Sequence, residues 1–365
     1  MGNKKSSENS QKPFEVQIGV RLSASIKELL KEVPQDVHPI KKQIYKEALS
    51  RLNQQDKEQI MIYIKCNQNT VISQVLYNEI KIQMMDGPYN YKSDFNSQQQ
   101  PTKSWYVNFS DKNLFGFYHT PLFAQDEVQC CQFPLLPYIK QYIQAYSKQE
   151  EGYFPVTRVG MNSYPILVLN CQYLCYVDLL KKNKNYPYGI YGNNFEKLKK
   201  EDVNEFFSFP KLEETKNLIN LICMSALSIF SQKGQSREYT EAEIVYTFET
   251  VYRAFYSAVQ ESKSNNQNVY VVINTGNWGS GAFGNNLVFT VLVQLAAAHL
   301  AKVNCLNYYP FDDQGKYGYQ EGYKLFQIFI KQMQQNQVEL SLQFQLNFIQ
   351  FCINQKFTWG SSNGF

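Results

Sequence analysis

The sequence predicts an α/β fold, a mixed sheet flanked by helices and preceded by a helical segment, and three observations carry that expectation. Short apolar runs such as Trp105–Phe109 and Ile166–Leu169 alternate with longer helix-like stretches across the last two thirds of the chain, the pattern of a largely buried sheet. Val269–Ile273 is a β-branched and aromatic run, and Leu287–Ala301 has the length and composition of a buried helix; a cluster of glycines lies between them. Before residue 86, apolar side chains recur at three- and four-residue spacings, the mark of amphipathic helices.

In chain order, residues 1–15 are polar and low in apolar content, a tail. From Arg21 to Met85 the pattern reads as several helices: Ile26, Leu29 and Leu30, then Ile40, Ile44, Ala48 and Leu52, then Ile60 and Ile64, then Val71, Val75, Ile80 and Ile82, with breaks near Pro34 and Pro39. Asp86–Ser104, rich in Gly, Pro, Asn, Ser and Gln, reads as a linker. The division expected is therefore a tail over 1–15, a helical accessory region with linker over 16–100, and an α/β domain over 101–365. Within the latter, Val128–Tyr146 is expected as helix, 181–216 as loop with short elements, and Asn217–Gln232 and Glu241–Gln260 as two helices. After the glycine loop and its helix, Lys302–Tyr309 reads as a strand, Tyr323–Gln335 as a helix, and an aromatic-rich segment runs to Trp359.

Composition narrows the function classes. The 365 residues carry 36 Lys and Arg against 32 Asp and Glu, a net charge of +4. The lysines near Lys148, Lys181–Lys184 and Lys197–Lys200 make no long or arginine-rich run, so direct nucleic-acid binding is not expected. Eight cysteines without a CxxC pair fit buried free thiols in a reducing compartment, and three histidines leave no material for a histidine-built metal site. No apolar stretch reaches membrane-spanning length and no secretory signal is visible, so a cytoplasmic location is expected. Met1-Gly2-Asn3-Lys4-Lys5-Ser6 matches the N-myristoylation pattern with basic residues beside it, which adds a possible membrane contact through Gly2.

The glycine loop is the candidate ligand site. Gly276, Gly279, Gly281 and Gly284 allow close backbone approach, and the following helix offers unpaired amides to an anion. Gly279-Ser280-Gly281-Ala282-Phe283-Gly284 has the G-x-G-x-x-G spacing, yet the nearest following acidic residues, Asp312 and Asp313, lie beyond the ~20 residues a dinucleotide fold places them at. No Lys-Ser or Lys-Thr follows, which excludes a Walker A loop. A tight strand-to-helix turn that binds nothing is the remaining alternative.

Thr275-Gly276-Asn277-Trp278-Gly279-Ser280-Gly281-Ala282-Phe283-Gly284, followed by Gln294-Leu295-Ala296-Ala297-Ala298, resembles the C-terminal signature of poly(ADP-ribose) glycohydrolases. Weaker similarity extends through Leu221–Leu227 and Gln172-Tyr173. The resemblance implies a macrodomain preceded by a helical accessory region. It also implies a catalytic segment of three glycines, a spacer and Gln-Glu-Glu, which falls here on Phe115-Gly116-Phe117 and Gln125-Asp126-Glu127. On that pattern Glu127 is the acid/base for a ribose glycosidic bond, and Asp126 and Gln125 position ribose. Gly116 and the loop Gly276, Asn277, Gly279, Ser280, Gly281, Ala282, Phe283 and Gly284 hold the diphosphate. A carboxyl group beside another carboxyl and partly buried has the raised pKa such an acid needs.

This sequence departs from the family's pattern at Phe115 and Phe117, which replace glycines whose task is close approach to phosphate; their side chains are expected in ligand space. Asn108 and Asp111 interchange a charged and a neutral group, Leu179 stands near an expected tyrosine, and Asn285 replaces a glycine. The departures favour a protein that has lost catalysis and persists as an interaction or scaffold subunit of an intracellular assembly, ciliary or cytoskeletal. The alternatives are an active hydrolase using Glu127 and a nucleotide-binding enzyme of another class. No cofactor and no metal is expected; the expected ligands are ADP-ribose or its polymer and protein partners.

Overall fold

Five adjacent strands run parallel from the middle of one eight-stranded sheet to one of its edges, and their C-terminal ends all open onto the same side. The computed structural model describes residues 19–67, 79–91, 100–148, 154–210, 218–229, 236–338 and 341–360. The tail, its acylation pattern and the helix expected at Val71 and Val75 lie outside the described residues.

In chain order the strands are Gly19–Ser25 (β1), Ile60–Cys66 (β2), Lys81–Met84 (β3), Thr102–Phe109 (β4), Arg158–Val159 (β5), Asn162–Ser163 (β6), Ile166–Gln172 (β7), Tyr176–Val177 (β8), Phe207–Ser208 (β9), Leu218–Met224 (β10), Tyr270–Gly276 (β11) and Cys305–Tyr309 (β12). The α-helices are Ile26–Leu29 (α1), Pro39–Leu49 (α2), Gln54–Lys57 (α3), Gln125–Gln132 (α4), Leu136–Tyr146 (α5), Val203–Phe206 (α6), Glu241–Lys263 (α7), Leu287–Leu300 (α8), Asp313–Gln335 (α9) and Ser341–Asn354 (α10). The large sheet has the order β1-β2-β7-β10-β4-β11-β12-β3, with β5-β6 and β8-β9 as separate two-stranded ladders. Strands β10, β4, β11, β12 and β3 pair in parallel; β7, β2 and β1 extend the sheet antiparallel.

The mixed α/β architecture expected from sequence is the one observed, with particular corrections. Residues 16–100 are not all helical: α1, α2 and α3 are present, but β1, β2 and β3 join the sheet. The run Ile60–Cys66 is β-branched and aromatic and finds backbone partners in β1 and β7, so its three- to four-residue spacing was a coincidence of a half-buried strand. The helix expected over Asn217–Gln232 is also a strand. In β10 six of seven residues are buried between β4 and β7, and a strand covered on both faces shows a continuous apolar run that periodicity cannot tell from a helix. The helix expected over Val128–Tyr146 is two, broken at Phe133, whose φ of −120° and ψ of 73° leave the helical region ahead of Pro134. Helix α9 begins ten residues earlier than expected, at Asp313, because the Asp312 side chain accepts from the Gly315 amide at 2.7 Å and caps it.

Helices cover both faces. One core packs α7, α8, α9 and α10 against the sheet around Trp105, Phe248, Phe255, Trp278 and Phe329; the other packs α1, α2, α4 and α5 around Tyr63, Phe115, Phe123, Phe133 and Phe195. Helix α8 is buried along twelve of its fourteen residues, and α9 reaches it through glycines: a Cβ on Gly322 would stand 2.6 Å from Val291 Cγ1. All eight cysteines are buried free thiols, and no helix among the described residues is long and apolar enough to cross a membrane.

Candidate functional site

A cleft of about 1400 Å³ lies at the C-terminal ends of the parallel strands. After β3 come Gly87–Tyr91; after β4, Asp111–Asn113 and Phe117; after β10, Ser228; after β11, Gly276–Phe283; after β12, Tyr309–Asp312. A parallel sheet places ligands at this end because chain reversals there leave loop amides and helix N-termini free.

The glycine loop is built as sequence suggests and is held from behind. Trp278, 1% exposed, donates its indole N–H to Met224 O at 3.0 Å, tying the loop to β10. Asn277 Nδ2 donates to Pro310 O at 2.6 Å, and Tyr308 OH donates to Asn277 Oδ1 at 2.9 Å. Asn285, in the place of an expected glycine, donates to Leu227 O at 2.7 Å and Gly279 O at 3.0 Å. Thr275 Oγ1 donates to Gln294 Oε1, whose Nε2 donates to Gly276 O at 3.1 Å, so the second part of the sequence motif braces the first from α8. Asn277 and the Ser280 hydroxyl, which donates to Asn277 O at 2.9 Å, thus shape the loop from within. Among the described residues the amides of Gly279, Gly281 and Phe283 make no hydrogen bond inside the protein. Gly279 has φ +75° and Gly284 φ +70°, and a Cβ on Gly279 would lie 2.6 Å from Ala226 Cβ.

The acidic segment opens α4. Ala124 N–H donates to Glu127 Oε2 at 3.0 Å, which fixes the carboxyl at the helix N-terminus, where the dipole favours negative charge. Glu127 is 2% and Asp126 5% exposed, and both line the cleft. Asn108 Nδ2 donates to Asp126 Oδ1 at 2.9 Å and to Gln129 Oε1 at 2.8 Å, leaving Asp126 Oδ2 without a partner among the described residues. Burial, then the neighbouring Glu127 charge, pushes the Asp126 carboxyl well above the usual carboxylate range. Burial raises Glu127 too, against the pull of Lys41 and of the backbone amides. Gln125 does something else: it accepts from Phe109 N–H at 2.7 Å and donates to Val107 O at 3.0 Å. Its amide splints α4 to β4, so the expected ribose-positioning role is not what its side chain is engaged in.

The two phenylalanines part company. Phe115 is fully buried in the core behind α4 and does not line the cleft, which corrects the expectation of a ring in ligand space. Its backbone keeps the left-handed conformation a glycine would adopt, φ +49°, and buried Lys140 donates to its carbonyl at 3.1 Å. Phe117 does face the cleft and is 43% exposed. Between them, a Cβ on Gly116 would stand 3.1 Å from Asn113 O and Asp111 Oδ1. Relief of the left-handed strain in Phe115→Gly gains about 1–2 kcal/mol, whereas deleting a buried ring costs about 3–5 kcal/mol. The variant is therefore expected to be destabilised by roughly 2 kcal/mol net, read as a lower midpoint in denaturant unfolding; equal or greater stability would show that the ring does not anchor the turn.

Sequence reasoning missed several residues. Lys41 on α2 is fully buried; its ammonium donates to Leu122 O at 2.6 Å and sits over the Phe123 and Phe195 rings. Burial lowers its pKa, opposed by Cys131, Glu127, Cys130 and Asp126. Lys41→Met is expected to move the Glu127 titration upward, since the largest influence opposing burial at that carboxyl disappears while Asp111 stays. Carbon-13 NMR of labelled glutamate carboxyls, with Glu127→Gln to assign the resonance, reads the shift; an unmoved midpoint refutes the coupling. Tyr89 and Tyr91 lie in the expected linker yet form the cleft floor, with Tyr89 against Tyr309 at 5.0 Å and Tyr91 against Tyr173 at 5.2 Å. Tyr191 and Phe311, 5.5 Å apart, also line the cleft, as does Leu179 where a tyrosine is expected. No motif marks these aromatics; only the fold collects them.

Residues 183–317 match the family model described as "Poly (ADP-ribose) glycohydrolase (PARG), Macro domain fold". That stretch contains the glycine loop, and Gln125–Glu127 precede it. No curated protein matches the sequence. Among solved structures, poly(ADP-ribose) glycohydrolase from Thermomonospora curvata is 9% identical, with 78% of this chain and 98% of that chain covered at a TM-score of 0.44. A point mutant of the Deinococcus radiodurans enzyme in complex with ADP-ribose is 10% identical over 87% of this chain and 98% of that one, TM-score 0.41. An Oceanobacillus iheyensis macrodomain is 12% identical over 70% and 96%, TM-score 0.36.

Proposed function

We propose, from the match of residues 183–317 to the poly(ADP-ribose) glycohydrolase family model, that this chain is a member of that family and that its cleft binds an ADP-ribose unit. The observation that carries the reading is the glycine loop: its amides at Gly279, Gly281 and Phe283 are uncommitted beside an open cleft, while Trp278, Asn277 and Asn285 hold it in place. Backbone donors preorganised in this way favour a diphosphate without further rearrangement. Phe115 leaves the cleft free. The unpartnered Asp126 Oδ2 is a seat for a ribose hydroxyl.

Hydrolysis of the ribose glycosidic bond is the second reading, favoured by Glu127. A carboxyl raised by burial and fixed by the Ala124 amide is suited to protonate a departing ribose oxygen and then to take a proton from the attacking water. Binding without turnover would make the protein a reader or scaffold subunit for ADP-ribosylated partners. Calorimetry with ADP-ribose tests the first reading, and saturable binding at a single site is the expected result; no heat and no competition by ADP would refute it. Release of mono-ADP-ribose from labelled polymer separates the hydrolase from the non-catalytic reader.

A further inference from the structure

Four of the chain's five arginines are paired with a carboxylate: Arg21 with Glu261 and Arg51 with Glu47 at 3.0 Å, Arg237 with Glu243 and Arg253 with Glu249 at 2.5 Å. Arg158 is the exception. It forms no ion pair or hydrogen bond through its side chain among the described residues, and its Nε is buried without a partner. It is partly buried and lines the same cleft as the glycine loop. A buried, unsatisfied guanidinium N–H is unfavourable by itself, because the group stays charged at any working pH and has given up water.

The seat of Arg158 is built. Its neighbour Thr157 donates its hydroxyl to Asp111 O at 2.6 Å and its amide to Lys112 O at 2.8 Å. Arg158 pairs with Ser163 across the β5-β6 ladder. These bonds fasten the arginine beside the Asp111–Asn113 turn, which leads into Phe115-Gly116-Phe117, where the family resemblance places three glycines. Charged groups on that wall of the cleft are Asp111 and the exposed Lys112. Asp111 Oδ1 already accepts from the Asn113 amide at 3.0 Å.

We propose that Arg158 is an anion-binding residue of the cleft, whose guanidinium takes a phosphate oxygen of the bound ligand. The proposal rests on the reading of the cleft as an ADP-ribose site and adds to it a side-chain cation that lines the same cleft as the glycine loop. A guanidinium fork binds two oxygens of one phosphate, which a lysine cannot reproduce.

The test is calorimetry on the full chain with three probes: ADP-ribose, adenosine and inorganic pyrophosphate. Arg158→Met is expected to weaken ADP-ribose and pyrophosphate at least about tenfold, in line with the loss of one charge-assisted contact. Adenosine should be unaffected, Arg158→Lys should recover only part of the loss, and the thermal midpoint of neither variant should fall below that of the unmodified protein. Unchanged affinity for both anions overturns the proposal, as does an equal loss for adenosine, which would mark a general collapse of the cleft. Arginine-dependent pyrophosphate binding without ADP-ribose binding would leave Arg158 as an anion site and sink the nucleotide reading instead. Binding of none of the probes by the unmodified protein overturns both.

Discussion

Glu127→Gln is expected to abolish any release of mono-ADP-ribose from polymer while leaving ADP-ribose affinity close to that of the unmodified protein. Glutamine matches the carboxylate in size and keeps an oxygen to accept from the Ala124 amide, so the α4 N-terminus should survive. What it cannot do is donate and retrieve a proton. General acid–base catalysis contributes about 10²–10⁴-fold, and a loss of that order is the expected outcome; turnover within a few-fold of the original would remove Glu127 from the chemistry. A second readout is independent of turnover. Because burial raises the folded-state pKa of Glu127, the stability it contributes is full below its unfolded pKa and is lost as pH rises through the folded one. The glutamine variant has no such loss, so the stability difference should move in its favour with rising pH. Unfolding midpoints at several pH values measure this, and a parallel pH dependence in the two proteins would contradict the buried, raised carboxyl.

Gly279→Val should damage both stability and binding. At φ +75° a side chain strains the backbone, and the first carbon alone would come within 2.6 Å of Ala226 Cβ and 3.2 Å of Asn285 Nδ2. Left-handed strain is about 1–2 kcal/mol and overpacking about 1–3 kcal/mol, giving a loss of roughly 2–5 kcal/mol. Ala226 lies just beyond β10 and Asn285 spans Gly279 O and Leu227 O, so the strain can relax only by moving the loop whose amides face the cleft. ADP-ribose affinity should fall by about tenfold for each 1.4 kcal/mol that this movement withholds from the complex. A variant that is as stable as the parent and binds equally well would show that the loop is not a preformed cradle.

The legible parts of the sequence were those where one local pattern had one structural meaning. Thr275–Gly284 is such a case: the strand, glycines and following helix announce themselves, and Gln294 behaves as a brace consistent with its place in the motif. Glu127 was reachable only through resemblance, since an acidic pair at a helix start is ordinary. Phe115 was misjudged because sequence gives the size of a ring but not its direction; with the backbone left-handed, the side chain turns into the core. Arg158 and Lys41 carried no local signal. Their meaning depends on which partners the fold supplies: none for Arg158, and a carbonyl with two rings for Lys41. The strands β1, β2 and β3 were read as helix because each is short and covered or flanked in ways that only distant segments determine.

Strands β1 and β3 occupy the two opposite margins of the sheet, and both come from the chain ahead of β4. Cutting the protein at residue 100, where composition suggests a seam, would therefore strip both margins at once. It would bare β7, with the apolar run Ile166–Leu169, at one side and β12, with Cys305–Tyr309, at the other. Rows of unpaired amides on apolar strands recruit further strands from other molecules, so the shortened protein would be prone to stack into polymers. The early part of the chain thus acts as a pair of selvedges, hems that stop the central weave from joining to its neighbours.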